Sequence, residues 1–322
     1  MRRSAAMLLA LSVLIAMPAL AAEAAYPSRP IRVIVPFAPG GSTDIVARIV
    51  AQKLTEAWGQ QVVVDNRAGA GGNIGMGLGA QSTPDGYTIM AVSSSYVVNP
   101  ALYSKPPYDP FKSFIPITNA AAAPNIFTAH SSLPAKSMHE VIALLRKDSK
   151  KYSIGTPGIG TTPDLAAELL RMTAKLDVPR VPYSGAGPAV AAIAGNQVAV
   201  ACTIMPPILP HIQAGRVRGL AVTTSKRASV LPDVPTMAEA GFKGQESDTM
   251  AAFLVPAGTP RAIVTKLSAE MRRILALPDI RERIEGLGFD VIASTPEQFA
   301  AQIKVEVEKW GKVIRSAGLK VD

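Results

Sequence analysis

One cysteine and three histidines in 322 residues leave little material for covalent staples or soft metal centres. A single thiol excludes a disulfide framework and every multi-cysteine metal site. Three scattered histidines offer no His-based zinc centre. Aromatic residues are only 5% of the chain, and no stacking motif of the RNA-binding kind occurs. Charged residues are also sparse, at 18% against 48% hydrophobic, a balance that excludes a disordered chain. Only one stretch approaches the apolar length of a membrane span, and it stands at the N-terminus.

That stretch is Met1-Arg2-Arg3, an apolar run over residues 5–16, then Met17-Pro18-Ala19-Leu20-Ala21. A positive start, a short apolar centre and a small-x-small end predict a secretory signal peptide over residues 1–21. The run falls short of the roughly 20 residues of a transmembrane helix, and Pro18 interrupts it. Cleavage is expected before Ala22, with Ala22-Glu23-Ala24 as a second possibility. No cysteine follows to accept a lipid. Removal of residues 1–21 takes two arginines and no acid, so the charge falls from +9 to +7. The positive charge is spread along the chain, which argues against nucleic acid as a partner and for steering of small anions. The run Arg146-Lys147-Asp148-Ser149-Lys150-Lys151 reads as a solvated helix end.

The mature chain alternates short β-branched runs with amphipathic stretches. Residues 31–36 read as a strand, 43–58 as a helix capped by Ser42, and 62–64 as a strand. A glycine-rich turn at 66–72 leads to a small-residue helix at 73–81 and a strand at 88–92. Residues 99–116 read as irregular, followed by apolar runs at 117–123 and 126–129. Helices are expected at 137–146, 162–173 and 188–194, with strands ending at 155, at 181, and over 198–203 and 220–223. Helices at 261–275, 279–287 and 296–316 fill the last third. This is an α/β pattern with mostly parallel sheets and helices on both faces. Ligands of such sheets bind beyond the carboxyl ends of the strands. Here those ends carry Pro39-Gly40-Gly41-Ser42, Gly69-Ala70-Gly71-Gly72, Ser93-Ser94-Ser95-Tyr96 and the loop 155–162. Several lead into helix N-termini, where free N–H groups and the helix dipole favour an anion such as a carboxylate.

Catalytic and nucleotide motifs fail. No G-x-x-x-x-G-K-[ST] is present, and Ile74 stands where a dinucleotide fingerprint needs its third glycine. Gly75-Met76-Gly77-Leu78-Gly79-Ala80 matches formally but lies inside a helix. Gly40-Gly41-Ser42-Thr43-Asp44 ends in Asp where a nucleophile elbow needs Gly. His130 and His211 read as structural, His139 as exposed and Cys202 as a buried, inert thiol. Asp44, in the first turn of a helix, reads as a dipole-facing residue before it reads as a general acid or base.

Together the segments Tyr26-Pro27-Ser28-Arg29-Pro30-Ile31, Pro36-Phe37-Ala38-Pro39-Gly40-Gly41-Ser42-Thr43-Asp44, Val64-Asp65-Asn66-Arg67-Ala68-Gly69-Ala70-Gly71-Gly72-Asn73-Ile74-Gly75, Pro84-Asp85-Gly86-Tyr87-Thr88, Asn99-Pro100-Ala101-Leu102-Tyr103, Val181-Pro182-Tyr183, and Leu231-Pro232-Asp233-Val234-Pro235-Thr236 with Glu239-Ala240-Gly241-Phe242 resemble the Bug family of periplasmic solute receptors, which serve tripartite tricarboxylate transporters. The resemblance spans nearly the whole mature chain. It implies a type II periplasmic-binding-protein fold of two domains with a ligand cleft between them. One domain would comprise residues 26–125 and 250–322, the other residues 126–249. It further implies a monomeric, periplasmic, non-enzymatic protein that needs no cofactor or metal. Its partners would be a small mono- or dicarboxylate and the membrane subunits of such a transporter, or a sensor kinase.

Carried over, the ligand loops are residues 37–44 and 70–73 in the first domain, and 156–162 and 183–187 in the second. Polar contacts are expected from Gly40, Gly41, Ser42, Thr43, Asp44, Ala70, Gly71, Gly72, Asn73, Ser94, Ser95, Thr156, Gly160, Thr161, Thr162 and Ala186. Phe37, Tyr96 and Tyr183 would meet the ligand's body. Four departures stand out, the first being Ser184, which follows Tyr183 where many members have a basic residue. Asp164 lies near a position where many members carry His, and is read as capping its own helix. Ala199 replaces a frequent Asp, which weakens the case for an amino-acid ligand. Tyr96 replaces a frequent His and suits an aromatic or long apolar ligand. A secreted enzyme acting on a carboxylate or ester in the same cleft is the alternative. A transcription-regulator effector domain shares the fold type but does not fit the signal peptide.

Overall fold

The computed structural model describes residues 26–316 and 318–321; the signal-peptide segment lies outside them. The sheet has strands β1 (Ile31–Val35), β2 (Val62–Asn66), β3 (Thr88–Val92), β4 (Phe114–His130), β5 (Ile154–Thr156), β6 (Arg180–Pro182), β7 (Val200–Ile204), β8 (Val217–Val222), β9 (Asp248–Pro256) and β10 (Asp290–Val291). The helices are α1 (Ser42–Trp58), α2 (Asn73–Ala80), α3 (Ser95–Leu102), α4 (Met138–Lys147), α5 (Thr162–Thr173), α6 (Ala186–Ala194), α7 (Met205–Gln213), α8 (Arg261–Leu275), α9 (Pro278–Gly286) and α10 (Pro296–Ser316).

Strand order is β2-β1-β3-β9-β4-β7-β5-β6, with β8 and β10 also paired to β4. The long strand β4 belongs to both halves. Its residues 114–124 pair with β9, and residues 125–130 with β7 and β8. The chain returns to the first half at Ser247-Asp248. Here Asn125 Nδ2 donates to Ser247 Oγ at 3.0 Å, and Thr249 Oγ1 donates to Asn125 Oδ1 at 2.6 Å, so the two crossings are tied together.

The sheet is mixed, which corrects the mostly parallel expectation. Four pairings are parallel (β1 with β2 and β3, β5 with β6 and β7), and five are antiparallel, all involving β4 or β9. The βαβ units lie at the flanks and the antiparallel strands in the middle. Four elements absent from the sequence reading appear, the two-residue β10 among them. The α3 helix occupies the start of the segment read as irregular, with Pro100 inside it. The α7 helix carries Pro206 and Pro207 in its first turn, where proline is tolerated. The β9 strand is buried along nearly its whole length.

Packing explains each helix's placement. Val46, Ile49, Val50 and Leu54 of α1 join Ile31, Val33, Val35 and Phe253 of the sheet in one core, backed by Leu267, Met271 and Ile274 of α8. In the second half, Val141, Ile142 and Leu145 of α4 and Leu170 of α5 pack on Phe127, Val200 and Cys202. Gly59 ends α1 in the left-handed region (φ 64°), with its N–H on Thr55 O. The first residues of α1, α5 and α6 (Ser42, Thr162 and Ala186) stand at the line where the halves meet.

Candidate functional site

Two neighbouring cavities lie along that line. The inner one is a narrow cavity of about 20 Å³, partly open at its mouth. Its walls are Phe37, Gly41, Ser42, Thr43, Asp44 and Ser93 from the first half, Pro157, Thr161, Thr162, Ala186 and Ile204 from the second, and Thr249 at the crossing. The outer one, about 170 Å³, is lined by residues 69–72, Tyr103, residues 157–159 and residues 182–184. Phe37 and Pro157 line both and separate them. Among the described residues, no lysine, arginine or histidine lines either cavity. An anion held here depends on hydroxyls, backbone N–H groups and helix ends.

The N-terminus of α1 is built for that. Gly41 is its N-cap in extended backbone and supplies no capping side chain, so the first amides of the helix lack the usual acceptor. Ser42 is 2% exposed, and its Oγ has no hydrogen-bond partner among the described residues although it is buried. An unpaired buried hydroxyl costs about 1–3 kcal/mol, a penalty an arriving acceptor removes. Asp44 is spoken for: its carboxylate accepts from Gly40 N at 3.0 Å, Arg48 Nε at 2.9 Å and Asn66 Nδ2 at 2.9 Å. Burial raises its carboxyl, but the bonds from Arg48, Gly40 and Asn66 outweigh that and hold it below the usual carboxylate range. It anchors the loop and stays ionised.

The N-terminus of α5 is closed by its own residues. Thr161 Oγ1 accepts from Asp164 N at 3.4 Å and donates to Gly158 O at 2.8 Å. Pro163 has no N–H. Thr162 Oγ1 bonds Thr249 Oγ1. Asp164, 1% exposed, lines neither cavity and pairs with Arg180 Nη1 at 2.5 Å while accepting from Thr156 Oγ1 at 2.9 Å. Its carboxylate also accepts from Gly160 N, so it holds the loop before α5; the cap of α5 is Thr161, which corrects the expectation that Asp164 caps its own helix.

Of the expected contacts, Phe37, Gly41, Ser42, Thr43, Asp44, Thr161, Thr162 and Ala186 meet at the inner cavity, and Phe37, Ala70, Gly71, Gly72 and Tyr183 at the outer. Others stand behind the walls. Gly40 and Gly160 bond the anchoring aspartates through their N–H groups. Asn73 accepts from Asn99 Nδ2, Thr156 is committed to Asp164, Ser94 accepts from Met250 N, and Ser95 pairs with Ser93. Tyr96 is corrected outright. Its ring is fully buried between Tyr108 and Phe114, and its hydroxyl donates to Pro110 O at 2.6 Å. It is a core residue, because the first turn of α3 aims it away from the cleft, and it says nothing about an aromatic ligand.

Gly69, Ser93, Tyr103, Pro182, Ile204 and Thr249 lie outside the expected ligand loops, and Pro157 lies inside one without being named as a contact. Ser93 and Pro157 adjoin predicted positions and Tyr103 lies in a quoted segment. Thr249 gave no signal, because its strand was not read. His130, His139, His211 and Cys202 line neither cavity.

Residues 46–319 match the model of the tripartite tricarboxylate transporter family receptor. The chain belongs to this family. It is 39% identical to the UPF0065 protein in the tcbD-tcbE intergenic region of Pseudomonas sp. (strain P51), over 90% of this chain and 87% of that protein. The structure of periplasmic binding protein BugD aligns with a TM-score of 0.89 at 36% identity, over 92% of this chain and 99% of that one. Two further structures are 32% identical: R. palustris Rpa4515 with adipate (TM-score 0.88, 92% and 99% covered), and MatC from Rhodopseudomonas palustris with bound malate (TM-score 0.86, 90% and 100% covered). The protein is thus a Bug-type periplasmic solute receptor with the α/β fold of periplasmic binding proteins, and its relatives are binding proteins, not enzymes.

Proposed function

We propose that this receptor captures a small carboxylic acid between its two halves and delivers it to a membrane transporter of the tripartite tricarboxylate type. The observation that carries this reading is the unpartnered Ser42 Oγ at the uncapped start of α1, inside a cavity without a cation. The carboxylate accepts from Ser42, Thr43 and the first α1 amides, each charge-assisted bond contributing about 1.5–3 kcal/mol. Thr161 and Thr162 close over it from the second half. The ligand's body passes Phe37 and Pro157 toward the outer cavity, where Tyr103, Ile159 and Tyr183 offer ring and apolar surface suited to an aryl or alkyl body. Adipate and malate on two relatives support the acid class. Residues 26–125 with 250–322, and residues 126–249, act as the two domains of a clamp, hinged at β4 and Ser247-Asp248. Cleavage of residues 1–21 on export completes the reading.

A thermal-shift screen of the mature protein against aliphatic, hydroxy-, amino- and aromatic acids tests it, with calorimetry on each hit. Ligand at 100 times its dissociation constant adds about 2.7 kcal/mol. A one-to-one hit recovered unchanged is expected. Turnover of the hit would instead favour the secreted-enzyme alternative, and silence across all four classes would reject the carboxylate. Uptake of the labelled hit by cells with and without the receptor tests delivery to the transporter.

A further inference from the structure

The two halves touch along two seams of backbone that flank the inner cavity. At the first, Ala38 N–H donates to Ser184 O at 3.1 Å. Beside it, a Cβ added to Gly185 would lie 3.1 Å from Ala38 N, and one added to Gly187 only 2.5 Å from Pro39 O and 3.5 Å from Gly40 C. At the second seam, a Cβ on Gly71 would lie 2.2 Å from Ile159 O, and one on Gly160 2.5 Å from Asn99 Oδ1. The halves meet this closely because glycine faces backbone or a held side chain at each point.

Most of these glycines also answer to their own loops. Gly71, Gly160 and Gly185 have φ of 61°, 81° and 155°, where any side chain is strained regardless of what it faces. Gly187 differs. It lies in the first turn of α6, outside the left-handed region, and alanine is the better helix former there. The three nearest atoms that a Cβ would meet outside its own helix turn all belong to Pro39 and Gly40 across the seam.

We infer that Gly187 is a positioning residue for closure: its missing side chain lets the Pro39-Gly40 backbone dock on α6, and this protein-to-protein seam closes the receptor even without ligand. The inference rests on the hinged-clamp reading but not on the ligand's identity. The ligand then meets a closed state already populated, and its apparent affinity scales with that population. An alanine at 187 leaves the open form intact, and improves its helix, while barring the closed one.

The test compares the mature wild type, Gly187→Ala and a matched control, Gly286→Ala, by small-angle X-ray scattering without ligand and by thermal unfolding. Gly286 ends α9, has no left-handed φ and has open space where a Cβ would go. The wild type and G286A should scatter as the closed structure. G187A should show a larger radius of gyration and stay folded, with at most a modest fall in melting temperature from the lost seam. Identical scattering from all three would overturn the inference, and so would an unfolded G187A, because α6 would then need glycine for its own half. Any acid that binds the wild type should bind G187A at least tenfold more weakly and G286A equally; equal binding to G187A contradicts the inference. If no acid binds the wild type, the carboxylate reading fails while the scattering still decides closure.

Discussion

At the start of α1, Gly40 N–H donates to the carboxylate of Asp44; at the start of α5, Gly160 N–H donates to that of Asp164, four residues on in both cases. Both glycines have φ near 80° (82° and 81°), and both aspartates pair with an arginine, Arg48 and Arg180. The two loops are the same device facing itself across the cleft. They differ in the cap. Gly41 leaves α1 open and Ser42 Oγ unpartnered, whereas Thr161 caps α5 with its own hydroxyl. One half therefore offers donors, and the other, already satisfied, provides a preformed wall. Hydrogen-bond satisfaction, more than the presence of a helix end, tells the two apart.

The comparison breaks most severely if the open end is given a charge. Ser42→Asp should lower affinity for any bound acid by at least a hundredfold in calorimetry. Its melting temperature should hold or rise, since an acid in the first turn of a helix is stabilising. A gentler change follows from Ser42→Ala. One charge-assisted bond of about 1.5–3 kcal/mol is lost, which is roughly ten- to a hundredfold in affinity, while stability does not fall because the hydroxyl has no partner in the protein. The closed end should respond the other way. Thr161→Ala removes a cap and costs about 1 kcal/mol of stability, seen in denaturant titration, with affinity changing only a few-fold.

The smallest effect concerns pH. The native Asp44 carboxyl is held below its ordinary value, so its contribution is fully present above the unfolded value of about 4 and fades as pH falls through the lower native one. Acid unfolding of Asp44→Asn should lack this component. If wild type and D44N lose stability in parallel below pH 4, the carboxylate does not anchor the loop.

Much of this was legible in the sequence because the signals are local. Pro39-Gly40-Gly41-Ser42 and Thr161-Thr162-Pro163 announce helix starts by residue chemistry alone, and the inner cavity is made largely of those loops. What was missed depends on direction or distance. Tyr96 lies one residue into a helix whose rotation about its axis no local signal reports, so a core ring was read as a ligand contact. The apolar run in β9 has no periodicity to tell strand from helix, so Thr249 was invisible. The unpartnered state of Ser42 Oγ depends on partners being absent throughout the fold, which no sequence pattern encodes.

The most direct test of the central claim is a calorimetric titration of the screen's best acid into S42D beside the wild type. The account predicts no measurable binding heat from a variant that melts at or above the wild-type temperature. An unchanged dissociation constant would mean that the carboxylate does not sit at the open end of α1.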